Sequence, residues 1–167
     1  MNKKNILISV LGLLVVLGLI WIARPGGTKN NPAVRADSVS KSTLTAQETS
    51  FDFGTVSMAA GNVKHDFQIK NTGNEPVVIR KMYTSCMCTT ASLSIGGSKF
   101  GPYGMPGHGF IPSIDEVLAP GEIATASAVF DPNAHGPAGV GRIDRVITLE
   151  NNTGAPLELK FSAVVTP

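Results

Sequence analysis

The sequence predicts an all-β protein, a single immunoglobulin-like antiparallel β-sandwich of about seven strands after an N-terminal transmembrane helix and a flexible linker. Three observations support this fold class. Apolar and polar residues alternate with a period of two from Glu48 onward. Turns rich in Gly, Pro and Asn separate the alternating segments, and residues 48–167 contain no segment with a helical period. A chain of this length is sufficient to bury its own core.

The predicted strands follow one another at short intervals along this domain. Two turns resemble each other, Asn71-Thr72-Gly73 and Asn152-Thr153-Gly154, and both precede a proline. We interpret this similarity as the same type of turn occurring twice, because Asn and Gly favour the same positions in such turns. The predicted strands are Phe51–Phe53, Val63–Lys70, Val77–Tyr83, Thr84–Leu93, Ala124–Phe130, Arg142–Glu150 and Leu157–Val165.

Residues 1–24 are predicted to form an uncleaved membrane anchor. The run from Ile6 to Ala23 is apolar apart from Ser9, and eighteen residues are near the lower limit for crossing a bilayer. The alternative is a cleaved signal peptide. Cleavage is disfavoured because the run exceeds the usual apolar region of such peptides and no small-residue cleavage site follows closely. In either case the remainder of the chain is exported.

Residues 25–47 lack any apolar period and are predicted to be a flexible linker. The net charge changes sign after residue 47. Residues 1–47 hold six Lys or Arg and one Asp, whereas residues 48–167 hold eight Lys or Arg and eleven Asp or Glu, a net charge of −3. The basic segment suits a membrane surface, and the acidic domain argues against nucleic-acid binding. We therefore expect a single-pass protein of the inner or plasma membrane, with its C-terminal domain in the periplasm or outside the cell.

Residues 94–119 interrupt the regular succession of predicted strands and turns. This segment is rich in Gly and Pro, yet it also carries Phe100, Tyr103, Met105, His108 and Phe110. Long loops inside compact domains are usually functional or disordered, and a disordered loop would hold fewer aromatic residues. We expect an insertion that folds over the sandwich or contacts a partner.

The chain carries an ordered set of motifs: Phe51–Val56, Val63–Ile79, Ser85–Thr89, Leu118–Glu122 and Phe130–Pro132 before Gly139. This set resembles that of the bacterial DUF1573 family over residues 48–165. The resemblance implies an immunoglobulin-like sandwich, similar to ASH and major-sperm-protein domains, and an exported setting, but little about activity. Two features depart from the family pattern: Met87 stands where the family usually has Gly, and residues 94–119 are inserted.

Cys86 and Cys88 are the only cysteines, and they stand one residue apart. On an extended strand, residues two apart are separated by about 6.6 Å, at the long edge of the Cα range for disulfides. A disulfide therefore requires a local bend. A metal is the alternative, because two thiolates assisted by Met87, Met105 or His108 would suit Cu(I). The favoured interpretation is structural, either core packing or a disulfide, ahead of a metal and of redox exchange.

The other histidines give weaker signals. His65 alternates with Phe67 and is interpreted as a half-buried strand residue. His135 follows Asn133-Ala134 in a turn that is expected to be exposed, and neither histidine is predicted to be a ligand.

No catalytic constellation is visible in the sequence, which contains no nucleophile elbow, phosphate-binding Gly loop or positioned pair of carboxylates. We therefore expect no enzyme activity, no bound cofactor and no small-molecule substrate. The expected function is a membrane-tethered binding or scaffold module with a protein partner in the cell envelope. The alternative is a copper-handling protein that binds Cu(I) through Cys86 and Cys88.

Overall fold

The computed structural model describes Val39–Pro167, and in this range the chain forms ten strands and two short 3₁₀ turns. The predicted anchor, residues 1–24, and most of the predicted linker lie outside the described residues. Within residues 39–167, no helix has the length and apolar character needed to cross a bilayer. The strands are β1 (Leu44–Ala46), β2 (Ser50–Ser57), β3 (Val63–Asn71), β4 (Val77–Thr84), β5 (Thr89–Ile95), β6 (Ser98–Tyr103), β7 (Glu116–Leu118), β8 (Ile123–Phe130), β9 (Gly141–Asn151) and β10 (Leu157–Thr166).

The strands form two five-stranded sheets, so the all-β sandwich predicted from the alternating pattern is confirmed. Sheet 1 has the order β1-β3-β8-β5-β6, and sheet 2 has the order β2-β10-β9-β4-β7. Among the described strands only β2 and β10 pair in parallel, with a shift of register between Ser162 and Val164. All the other pairs are antiparallel.

The number of strands differs from the prediction of about seven, and the three additional strands all lie at sheet edges. Strand β1 lies in the segment assigned to the linker, where it pairs with β3. Strands β6 and β7 lie within residues 94–119, so this segment supplies one edge to each sheet. Gly96 and Gly97 have φ values of 55° and 89°, which permit the two-residue hairpin that joins β5 to β6. Two of these edge strands have only three residues, too short for an alternating pattern to be recognised.

The core between the sheets pairs large side chains with small ones. On the central strand β8, Ala126 lies opposite Phe67 on one side and Leu93 on the other. All three residues are fully buried. The alanine leaves room for its larger neighbours, because interiors are packed as closely as organic crystals. Phe161 of sheet 2 contacts Phe130 from the opposite side, with ring centroids 5.6 Å apart.

The turn after β3 depends on the buried side chain of Asn71. Its amide nitrogen donates to the carbonyl oxygens of Glu75 at 2.8 Å and Leu118 at 3.0 Å. Its amide oxygen accepts from the Ser42 hydroxyl at 2.7 Å and from the Gly73 N–H at 3.1 Å. One amide thereby joins the segment before β1, the β3–β4 turn and the end of β7.

The turn after β9 repeats this chemistry. Asn151 accepts from the Thr153 N–H at 2.8 Å and donates to the Ala155 carbonyl oxygen at 3.0 Å. The shared turn chemistry expected from the sequence is therefore present. The residue that plays the part of Asn71 in this turn is Asn151. The similarity of the two turn sequences had instead matched Asn152 with Asn71.

Replacing Asn71 with Ala should lower the free energy of unfolding by about 3 kcal/mol, because buried carbonyl and N–H groups lose their partners. Urea denaturation followed by circular dichroism measures this change. Asn74→Ala is the matched control, since Asn74 lies exposed in the same turn, and it should change stability by less than about 0.5 kcal/mol. Equal effects of the two variants would contradict the role assigned to Asn71.

Candidate functional site at the Cys86–Cys88 turn

The cysteines lie in the turn where the chain passes from sheet 2 to sheet 1. Strand β4 ends at Thr84 and β5 begins at Thr89, so Ser85–Cys88 is the whole connection. The buried Thr84 hydroxyl lies 3.0 Å from the carbonyl oxygens of both Cys86 and Thr89. The Thr89 N–H also donates to the Cys86 carbonyl at 3.1 Å. These bonds fold the turn back on itself.

The fold of this turn brings the two cysteines together in a disulfide. The Cα atoms of Cys86 and Cys88 are 5.3 Å apart, inside the range that a disulfide spans. A disulfide between residues two apart requires a local bend of the chain, and the turn provides this bend. The two sulfurs differ in environment, because Cys88 is only 2% exposed whereas Cys86 is half-buried.

Arg145 of β9 contacts the buried sulfur. Its Nε donates to Sγ of Cys88 at 3.2 Å, and its Nη1 donates to the Asp144 carbonyl oxygen at 2.9 Å. Arg145 lies midway between the buried residues Ile143 and Ile147 of β9, so the alternation of the strand places its side chain on the inward face. The guanidinium therefore lies against the edge of the core, where its charge is only partly hydrated.

His135 contacts the outer sulfur. Its Nε2 lies 3.2 Å from Sγ of Cys86, and the side chain reaches this position from the exposed loop after β8. The loop is held near the disulfide because the Asp131 N–H donates to the Cys88 carbonyl at 2.9 Å. His135 is exposed, as the turn sequence predicts, but its contact with Cys86 was not predicted from the sequence.

The structure thus groups Cys86, Cys88 and His135, whose ligand atoms all lie within 4.8 Å of one another. His108 is not part of this group. Together with Met105 it lines a separate groove in the segment after β6. Met87 stands at the tip of the turn with 52% of its surface exposed.

The segment after β6 is fixed at both ends and exposed between them. Tyr103 is buried, and burial raises the pKa of its hydroxyl above the ordinary value. Ile114 is also buried, and its N–H donates to the Arg80 carbonyl at 2.8 Å. Between these anchors Phe110 is 90% exposed. We call residues 104–113 the Phe110 loop.

The disulfide contributes little to the stability of the fold by the chain-entropy argument. A bridge stabilises mainly by restricting the unfolded chain, and the effect grows with the length of the closed loop. Cys86 and Cys88 have a sequence separation of 2. For so short a loop the contribution is roughly 1.5 kcal/mol, about half that of a fifteen-residue loop.

Reduction of the disulfide should therefore leave the domain folded and lower its free energy of unfolding by no more than about 2 kcal/mol. Urea denaturation with and without a phosphine reductant measures the difference. The Cys86→Ser, Cys88→Ser double variant is the control and should not respond to the reductant. Unfolding on reduction would contradict this prediction and make the bridge a structural requirement.

Comparison with known proteins agrees with the all-β sandwich class that the fold defines. Residues 44–99 match the family model described as "Protein of unknown function (DUF1573)". The resemblance to DUF1573 is thereby confirmed over this segment, which includes both cysteines but ends before His135 and Arg145. A search of curated protein sequences found no match.

Two solved structures share this fold at low sequence identity. A protein of unknown function from Porphyromonas gingivalis W83 is 18% identical with a TM-score of 0.55, covering 81% of this chain and 51% of that one. A family 123 glycoside hydrolase from Clostridium perfringens is 9% identical with a TM-score of 0.50, covering 76% of this chain and 27% of that one. The ASH/PapD-like domain 7 of human CEP192 is 17% identical with a TM-score of 0.45, covering 84% and 97%. The chain spans about half of the first structure and about a quarter of the second, and identity at this level indicates a shared fold only.

Proposed function

We propose that this protein is a membrane-tethered, extracytoplasmic binding module of the cell envelope, which acts by binding a protein partner and not by turning over a substrate. The apolar run at residues 6–23 motivates the tether and the compartment. The observation that carries the binding role is the exposure of Phe110 on a loop whose two ends are buried.

Aromatic side chains contribute large apolar areas to protein interfaces and are enriched there. The anchors at Tyr103 and Ile114 limit the freedom of the Phe110 loop, so less conformational entropy is lost on binding. Binding residues are frequently found on loops that a rigid scaffold positions. The loop joins the edge strands β6 and β7, which places it at one side of the sandwich.

The charge of the domain narrows the class of partner. With a net charge of −3 over residues 48–167, a polyanion such as nucleic acid is disfavoured. Aromatic anchors are enriched in protein–protein interfaces, and this supports a protein partner of the envelope. No small-molecule substrate or cofactor is part of this proposal.

Phe110→Ala should abolish or weaken partner capture at least about tenfold, because a central aromatic anchor commonly carries 2 kcal/mol or more of binding free energy. The measurement is crosslinking in the producing cells followed by quantitative mass spectrometry of proteins that co-purify with the full-length chain. Ile123→Ala is the matched control, since Ile123 is 55% exposed on β8 and not in the loop. Equal capture by the wild type and Phe110→Ala would overturn the assignment.

Copper handling is a second candidate, and the grouping of Cys86, Cys88 and His135 favours it. After reduction the two thiolates and the imidazole would supply three ligands of the softness that Cu(I) prefers. This candidate keeps the cysteines expected from the sequence and takes His135 as the third ligand, in place of Met87, Met105 or His108. Arg145 weighs against it, because a guanidinium beside Cys88 repels a cation.

Anaerobic titration of the reduced full-length protein against a Cu(I) chelator tests this candidate. His135→Ala should weaken Cu(I) binding about tenfold or more, as the loss of one direct ligand implies. His108→Ala is the matched control and should leave affinity unchanged. Affinity that is insensitive to Cys86→Ser and Cys88→Ser would exclude a copper site at this turn.

A further inference from the structure

The environments of the two sulfurs are unequal, and this asymmetry is the basis of a further inference. We propose that the Cys86–Cys88 disulfide is a thiol–disulfide exchange site that accepts two electrons from a dithiol of a peptide or protein. The proposal goes beyond the binding role and does not depend on it. It rests on the contacts of Arg145 and His135 with the sulfurs and on the difference in their exposure.

In this proposal the incoming thiolate attacks the sulfur of Cys86, the less buried of the two residues. Cys86 is half-buried, whereas Cys88 is only 2% exposed. Exchange requires access to one sulfur, with the other positioned to leave. Met87 stands beside Cys86 at the tip of the turn, and its exposed thioether offers an apolar contact to the chain that carries the attacking thiol.

Cys88 is the leaving sulfur, and Arg145 stabilises it. The Nε–H donor lies 3.2 Å from Sγ of Cys88. A disulfide sulfur is a weak acceptor, but a thiolate is a strong one that bears a full negative charge. The contact therefore strengthens as the S–S bond breaks. A stabilised leaving thiolate accelerates exchange and favours the reduced form at equilibrium.

The exchange proceeds in two balanced steps. In the first, a substrate thiolate attacks Sγ of Cys86, so that a mixed disulfide forms and the S–S bond electron pair departs with Sγ of Cys88. In the second, the other thiolate of the substrate attacks its own sulfur in the mixed disulfide, and Cys86 is released as a thiolate. The substrate dithiol is oxidised to a disulfide, and the protein disulfide is reduced to two thiols after protonation.

His135 serves the second step. Its Nε2, 3.2 Å from Sγ of Cys86, is placed to donate a hydrogen bond to that sulfur as it leaves the mixed disulfide. The two sulfurs are thus each matched with a donor, a guanidinium for the buried one and an imidazole for the outer one.

The first test uses single-cysteine variants of the full-length chain and an aromatic disulfide reagent. In Cys88→Ser the remaining Cys86 should form a mixed disulfide at least about tenfold faster than Cys88 does in Cys86→Ser, because access governs the rate. The same reaction in denaturant is the reference, where the two thiols should react alike. Equal rates in the native state, or faster reaction of Cys88, would overturn the proposed order of attack.

The second test compares variants of the two arginines of β9. Dithiothreitol and reduced glutathione are the probes, and alkylation followed by mass spectrometry gives the rate and the equilibrium. Arg145→Met should slow reduction about tenfold and shift the equilibrium in glutathione buffer about tenfold towards the disulfide. Arg145→Lys should restore part of both effects. Arg142→Met removes an equivalent charge that forms an ion pair with Asp144, and it should leave both quantities unchanged.

Circular dichroism of each variant shows whether folding is preserved. His135→Ala is a further test of the proposed exchange, at a position that is exposed. This variant should slow reduction several-fold without changing stability. A peptide dithiol should react faster than dithiothreitol, and equal rates would overturn the assignment of a peptide or protein as the substrate. Arg145→Met and Arg142→Met with equal rates, together with an unaffected His135→Ala, would overturn the proposal.

Copper binding and thiol exchange respond to Arg145 in opposite directions. Removal of the guanidinium should strengthen Cu(I) binding to the reduced site, because a neighbouring positive charge is lost, and it should weaken exchange for the same reason. The sign of the Arg145→Met effect in the two assays therefore distinguishes this proposal from the copper candidate. Both are independent of the Phe110 loop, so failure of partner capture leaves them intact.

Discussion

The passage of the chain between the two sheets at Ser85–Cys88 is the constraint on which the rest of the structure depends. Strand β4 belongs to sheet 2 and β5 to sheet 1, and only four residues join them. The buried hydroxyl of Thr84 fixes this crossing through the carbonyl oxygens on both sides of the turn. Buried polar groups must be paired, so the turn has little freedom to rearrange. The same turn determines which sulfur faces the core and which faces outward.

The site is assembled from three segments that are far apart in the sequence. The turn supplies the cysteines, β9 supplies Arg145, and the loop after β8 supplies His135. Strand β8 pairs with β5, directly after the turn, and β9 pairs with β4, directly before it. Each neighbour of the turn therefore contributes one side chain that contacts one sulfur. The asymmetry of the disulfide follows from the sandwich topology and not from the Cys-Met-Cys motif itself.

The sequence was sufficient to predict seven of the strands, most of them from alternation against a core. Two predicted bounds were wrong: the strand predicted at Thr84–Leu93 begins only at Thr89, after the cysteine turn, and the strand predicted at Phe51–Phe53 extends through Gly54 to Ser57. The sequence did not reveal β1, β6 and β7, which are short or rich in Gly and Pro and lie at edges, although the Gly96-Gly97 pair was a usable hairpin signal. The sequence identified Cys86 and Cys88 as a candidate site and indicated that a disulfide between them requires a local bend. Arg145 was missed, yet it had left a signal: a charged residue at an inward position between Ile143 and Ile147. The contact of His135 left no local signal, since it depends on the pairing of β5 with β8.

The position of Arg145 bears on which redox state the site is built for. A cation at an inward position is unfavourable unless an anion or strong acceptors compensate it. Its described acceptors are the Asp144 carbonyl oxygen and Sγ of Cys88, and the disulfide sulfur is a weak acceptor. In the proposed exchange, reduction converts that sulfur into a thiolate, which would form an ion pair with the guanidinium. Since the bridge closes too short a loop to stabilise the fold strongly, the contact with Arg145 supports the proposed exchange at this turn.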